Sequence, residues 1–183
     1  MILFFFLVLG ACAPEKEESI TTTGIARNDG SAVQLFELLN PDSISVDFVN
    51  HIQETPQLNY YTFRHMYIGG GVATAEFNND GLIDLFFTGN MSSIKLYINM
   101  GKLQFEDVTY SAGVQGNTGF YMGATIIDIN NDGWLDIYVC KSGKYADPKL
   151  KANLLYVNNG DLTFTEKARE YGLDDMNLSV QAA

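Results

Sequence analysis

The sequence predicts an all-β chain made of two copies of one four-stranded antiparallel unit. Three observations carry this reading. The loop DINNDGWLD, Asp128–Asp136, has a near-twin in EFNNDGLID, Glu76–Asp84. The segments that flank both loops are rich in β-branched and aromatic residues, as strands are. The likeness then continues downstream, where KLYINMGKLQFEDVTYSAGV pairs with LLYVNNGDLTFTEKAREYGL after an insertion near Lys144–Leu150 in the second copy.

Each loop places oxygen-bearing side chains at its first, third, fifth and ninth positions and a glycine at its sixth. In the second loop these are Asp128, Asn130, Asp132 and Asp136, with Gly133 at the turn. In the first they are Glu76, Asn78, Asp80 and Asp84, with Gly81. Alternate positions of a tight loop aim oxygens at one point, and a hard cation such as calcium takes six to eight of them at about 2.3–2.6 Å. The seventh position, Leu82 or Trp134, supplies a backbone carbonyl, so its side chain is free to be apolar. Glycine at the sixth allows the positive φ of a sharp reversal. An EF-hand would continue into a helix and close with glutamate at position twelve. Here Leu85–Thr88 and Ile137–Cys140 follow, with Phe87 and Val139 at position twelve, so the sites are strand–loop–strand. Asn-Asp-Gly also suits a metal-free turn; two copies with one ligand spacing favour the metal. Glu76 carries an extra methylene that shifts its carboxylate, so the first site is expected to be looser or empty.

Taken in order, each copy reads as a strand into the loop, a strand out of it, a third at LYIN or LYVN and a fourth at QFEDV or TFTEK. The turns NMGK and NNGD join the last two as hairpins. Four antiparallel strands in a repeat of about 40–50 residues is the pattern of a β-propeller blade. The expected organisation is a first blade over 67–118, a second over 119–175 and the start of a third over 176–183. Two blades do not close a ring of roughly four to eight, so the chain is expected to be the N-terminal piece of a longer protein, with an exposed blade face and open edge. Tyr97, Phe105, Tyr156 and Phe164 recur at equivalent positions, which favours packing between sheets over ligand stacking. Trp134 faces either solvent or a neighbouring blade.

Ahead of the repeats, Ile2–Leu9 is an apolar run too short for a bilayer, which needs about 20 residues. It ends in Leu9-Gly-Ala-Cys12, and reads as an export signal. Residues 13–32 are polar and aperiodic, a flexible tether. Residues 33–66 hold a mixed segment in which Ser43–Asn50, SISVDFVN, is expected to form a strand. His51 and His65, the two histidines, have no metal-spaced partners and are read as surface or hydrogen-bonded residues. Cys140 sits in an apolar strand as a buried thiol. A formal net charge of −11 excludes a nucleic-acid partner, since phosphate binding needs a basic surface.

The two repeats resemble FG-GAP/VCBS repeats, the blade unit of integrin α-type propellers. The resemblance rests on the Asp128–Asp136 and Glu76–Asp84 loops, on Gly70-Gly71-Val72-Ala73 and Met122-Gly123-Ala124, on Phe105–Thr109 and on Ala112–Val114; the last two are similar to bacterial relatives of cartilage acidic protein. It departs from the family at Glu76, which stands for aspartate. It covers about residues 43–183, and implies a calcium-stabilised, extracytoplasmic propeller. The Leu9–Cys12 tetrapeptide resembles a bacterial lipobox, which implies lipidation at Cys12 and a signal peptide over 1–12. Lys16–Glu18 looks like an acidic export tag.

The function expected is a non-enzymatic, calcium-binding surface module that engages a protein or glycan while anchored to the outer membrane or cell surface. The alternative is a scaffold domain of an exported enzyme whose active site lies beyond residue 183. The sequence has no nucleophile elbow and no phosphate-cradling loop before a helix. Its paired carboxylates pool on a cation, which disqualifies them as acid–base pairs.

Overall fold

A computed structural model of the chain describes residues 36–117 and 119–183, together with the backbone at 25–26 and 32–33. The apolar run at 2–9, Cys12 and Lys16–Glu18 lie outside the described residues. The chain divides at Leu38/Leu39 into two units. In the first, β1 (Ile25–Ala26) pairs antiparallel with β2 (Ala32–Val33), within and just beyond the span read as a tether.

The second unit carries two four-stranded antiparallel sheets. The first is the meander β3 (Val72–Ala75), β4 (Asp84–Phe87), β5 (Lys95–Asn99) and β6 (Phe105–Asp107). The second is β7 (Phe120–Ile127), β8 (Asp136–Ser142), β9 (Leu154–Asn158) and β10 (Phe164–Glu166). Each falls on a segment that the repeat pattern assigns to a strand, and the architecture is that of a partial all-β propeller. Gly101 and Gly160, at φ +80° and +81°, turn the β5–β6 and β9–β10 hairpins as the sequence predicts. Each copy ends in a short helical turn or loop, with α2 (Ala168–Tyr171) closed by Gly172 at φ 69°.

The main core lies between the sheets. Phe77, Phe86, Leu96 and Ile98 of the first pack with Ile137, Val139 and Tyr156 of the second, and all are buried. Phe77 meets Phe164 edge to face at 6.0 Å. Tyr156 and Phe164 therefore pack between the sheets, as the repeat equivalence predicts, whereas Tyr97 is buried outside that cluster, against Asp47 and Phe87, and Phe105 is only half-buried at a sheet edge. An aromatic in the core removes some 150–250 Å² from water, which is why these positions keep large rings.

The first strands of the two sheets approach closely. A Cβ on Gly71 would come 2.7 Å from the Met122 carbonyl, so only glycine fits there. The Thr88 hydroxyl accepts from Gly71 N at 2.6 Å and donates to the Met122 carbonyl. Tyr121 N donates to Gly89 O at 3.3 Å, and one repeat later Ser179 N donates to Lys141 O at 3.2 Å. Gly123 N also donates to Val180 O at 2.8 Å, beside a bulge between Tyr121 and Ala124. Residues 179–180 thus meet the second sheet much as Tyr121–Met122 meet the first.

One expectation is overturned. Ser43–Asn50 forms no strand: Pro41–Ile44 is a short helix (α1), and 46–50 has no ladder partner. Asn40 caps that helix by accepting from Asp42 N at 3.0 Å, with proline at its first turn. Side chains, not a ladder, then tie the segment to the first sheet. Tyr97 donates its hydroxyl proton to Asp47 at 2.6 Å, and Phe48 stacks on Phe87 at 5.0 Å. Asn50 and Asn90 bond reciprocally, and buried Asn90 also donates to Gly69 O and Tyr121 O.

Candidate functional site

Both NNDG loops sit at the same end of their sheets, between β3 and β4 and between β7 and β8. The loop geometry starts with backbone conformation. Asn79 and Asn131, fourth in each loop, have φ 59° and 57°, and Gly81 and Gly133 have φ 85° and 87°. Asparagine tolerates the left-handed region better than most side chains, which gives the second Asn of each loop its physical reason. The sequence reading credited the glycines alone.

The first-position carboxylates reach across the turn. Asp128 accepts from Asp132 N at 3.1 Å and from Gly133 N at 3.0 Å. Glu76 accepts from Asn78 N at 3.1 Å and from Gly81 N. The longer glutamate thus keeps the bond to glycine but moves its second contact from the fifth residue to the third. The third and fifth positions pair in both loops: the Asn78 amide donates to Asp80 at 2.9 Å, and that of Asn130 to Asp132 at 2.7 Å. Asp80 and Asp132 also accept from Leu82 N and Trp134 N.

The ninth-position aspartates behave differently from the reading of them as plain ligands. Asp84 and Asp136 are fully buried. Asp136 accepts from Ile129 N at 2.9 Å and from Asn158 N at 2.8 Å, so its carboxylate joins the loop to the end of β9. Asp84 makes the same joint to Phe77 N and Asn99 N. Burial pushes both carboxyls up; the backbone N–H groups pull them back, and the neighbouring loop carboxylates add to the rise. The asparagines they hold were missed by the sequence reading. Asn158 accepts from Gly160 N and donates to Leu135 O and to Phe77 O of the first NNDG loop; Asn99 accepts from Gly101 N and donates to Ile83 O. The recurring Asn at the end of LYIN and LYVN was the available signal.

Trp134 remains partly open to solvent. It is half-buried against the hairpin turn of its own sheet, where a Cβ on Gly160 would come 3.1 Å from the indole. Leu82 stands in the same relation to Gly101, at 3.8 Å.

The donor set is all oxygen, as a hard cation requires. Each carboxylate oxygen has two lone pairs, and the loop N–H groups take one. As the side chains stand, no group of three or more His, Cys, Asp or Glu among the described residues is arranged to hold a metal. Only three of the five donors in the second loop are carboxylates, and Asp136 is turned towards backbone N–H groups. His51 is exposed, and His65 is half-buried with Nδ1 unpartnered, remote in sequence from both loops. Cys140 is a buried free thiol, its pKa raised chiefly by burial.

Residues 76–139 match the family described as the FG-GAP-like repeat. The chain carries an FG-GAP-like repeat. The matched span opens on the first residue of the Glu76 loop and runs through the Asp128 loop into β8, so the repeat signature is the pair of loops with the sheet between them. No curated protein matches the chain. Among the described residues no helix is long and apolar enough to cross a membrane.

Proposed function

We propose that this FG-GAP repeat chain is a calcium-binding, extracytoplasmic propeller module that engages a partner at the cell surface. The observation that carries the reading is the near-identity of the two loops. Both keep a carboxylate, an amide, a second carboxylate and a free carbonyl at alternate positions, on one backbone conformation. These carboxylates also brace the turn through backbone N–H groups, and the lone pairs that such bonds leave over are what a hard cation would take. Calcium bound there favours the folded chain by mass action, and stiffens the loop end of each sheet. The module is non-catalytic in this reading, because its grouped carboxylates are committed to backbone N–H groups and a cation rather than to proton transfer.

The same proposal places a lipid on Cys12 and the chain on the outer membrane or cell surface, on the strength of the Leu9–Cys12 tetrapeptide after an apolar run. Calcium titration calorimetry on the protein and on Asp132→Ala tests the first part: the variant is expected to lose the second-loop site, and unchanged binding would overturn the assignment. Membrane fractionation of Cys12→Ser tests the second; a variant that still sediments with membranes would sink it.

A further inference from the structure

An open cavity of about 500 Å³ lies at the end of the two sheets opposite the NNDG loops. Three connections contribute to it: Met91–Ser93 between β4 and β5, residues Tyr110, Gln115, Gly116, Asn117 and Gly119 between β6 and β7, and Tyr145 between β8 and β9. The volume suits a small ligand or the end of a larger one, since such sites run from about 300 to 1,000 Å³.

The chemistry of the wall narrows the ligand class. No lining residue is Asp, Glu, Lys, Arg or His, in a chain with 22 acidic and 11 basic residues. A phosphate or carboxylate ligand would find no exposed cation in the wall, since Lys141 is buried behind Asn117, and an ammonium ligand no carboxylate. A purely apolar ligand is also poorly served, because Ser93, Gln115 and Asn117 present amides and a hydroxyl. What remains is neutral, rich in hydrogen-bonding groups and flat enough to lie on aromatic faces. Two tyrosines supply such faces, Tyr110, which is 77% exposed, and Tyr145, half-buried, while the third lining tyrosine, Tyr121, is buried.

The polar groups are held in place from behind. Lys141, fully buried, donates from Nζ to Asn117 Oδ1 at 2.7 Å and lies 5.2 Å from the centre of the Tyr121 ring. The Tyr121 hydroxyl donates to the Asn117 carbonyl. With Oδ1 engaged, the Asn117 amide keeps its NH2 as a donor. Ser92 is fixed too, donating to Val49 O and accepting from His51 N. Locked polar groups beside rigid aromatic faces lower the ordering cost of binding.

We propose that this open cavity binds a neutral carbohydrate, with Tyr110 and Tyr145 stacking on the sugar and Asn117 and Gln115 bonding to its hydroxyls. The assignment rests on reading the chain as a surface binding module and names the ligand class. Lys141 acts here as a positioning residue behind Asn117.

The test is an array of neutral, sialylated and sulfated oligosaccharides and of immobilised peptides, probed with the full chain in calcium. Tyr110→Ala and the cavity-filling Ser93→Trp, both at exposed positions, serve as variants, and the calcium-induced rise in Tm is read on each sample. Binding to neutral oligosaccharides, weakened at least tenfold by either variant with the calcium response intact, is the expected result. No neutral glycan bound, binding confined to charged glycans or to peptides, or binding indifferent to both variants would overturn the proposal. A retained calcium response in those cases would leave the loop assignment standing, so the two readings fail separately.

Discussion

Replacing Asp136 with alanine separates a structural joint from a simple metal ligand. In the absence of any cation its carboxylate already accepts two backbone N–H groups, from Ile129 and Asn158, at 2.9 and 2.8 Å. Hydrogen bonds to a charged group contribute about 1.5–3 kcal/mol each, so the pair is worth about 3–6 kcal/mol. Burial of the charge opposes this and, as the raised pKa of Asp136 shows, outweighs the preference of these bonds for the charged form, so the expected loss, about 3 kcal/mol, is that of leaving two backbone N–H groups unpaired. Domains of this size are stable by about 5–15 kcal/mol, so the variant should unfold at much lower urea. The measurement is equilibrium urea unfolding in EDTA, followed by far-ultraviolet circular dichroism. Asp132→Ala is the comparison: it is exposed and bonds only within its own turn, so in EDTA it should cost below about 1 kcal/mol. If Asp136→Ala costs no more than Asp132→Ala in EDTA, the joint to Asn158 carries no weight and the reasoning fails.

Two further outcomes follow from the same geometry. Burial pushes the Lys141 ammonium down to about 8, below its ordinary value near 10.4. Between these two values the unfolded chain binds the proton and the folded chain does not, so stability should rise from pH 8 to pH 10, by at most about 1.4 kcal/mol per pH unit; Lys141→Met should flatten the rise in urea midpoints, and an unchanged slope would contradict it. Gly160 and Gly101 share the same positive φ, but only Gly160 lies against the indole of Trp134. Both alanine variants should therefore lose about 1 kcal/mol from backbone strain, while only Gly160→Ala should also shift the tryptophan emission; equal emission changes in both would deny the contact.

The strands were legible because two copies of one pattern corroborate each other: LYIN with LYVN, QFEDV with TFTEK, and a loop of fixed spacing before both. Two blades with glycine-turned hairpins could be read from that alone. Ser43–Asn50 misled because its alternation of polar and apolar residues mimics a strand, yet a strand exists only where another can pair with it. The Asn40-Pro41-Asp42 cap was the stronger local cue. The double role of Asp84 and Asp136 was hidden because ligand spacing and turn bracing ask for the same residue; only the hydrogen bonds to Asn99 and Asn158 distinguish them. The seating of Trp134 on Gly160 joins two turns far apart in sequence, which periodicity cannot reveal.

The central claim, that the paired loops are calcium sites, is tested most directly by terbium luminescence excited through Trp134. The chain has a single tryptophan, and it lies inside the Asp128–Asp136 loop, so emission excited at the red edge of the indole band, where the ten tyrosines do not absorb, reports terbium beside that loop. The account predicts a terbium signal from the folded protein that calcium displaces and that Asp132→Ala abolishes. No sensitised emission from a chain that circular dichroism shows to be folded would contradict it, and would leave DINNDGWLD as a hydrogen-bonded turn.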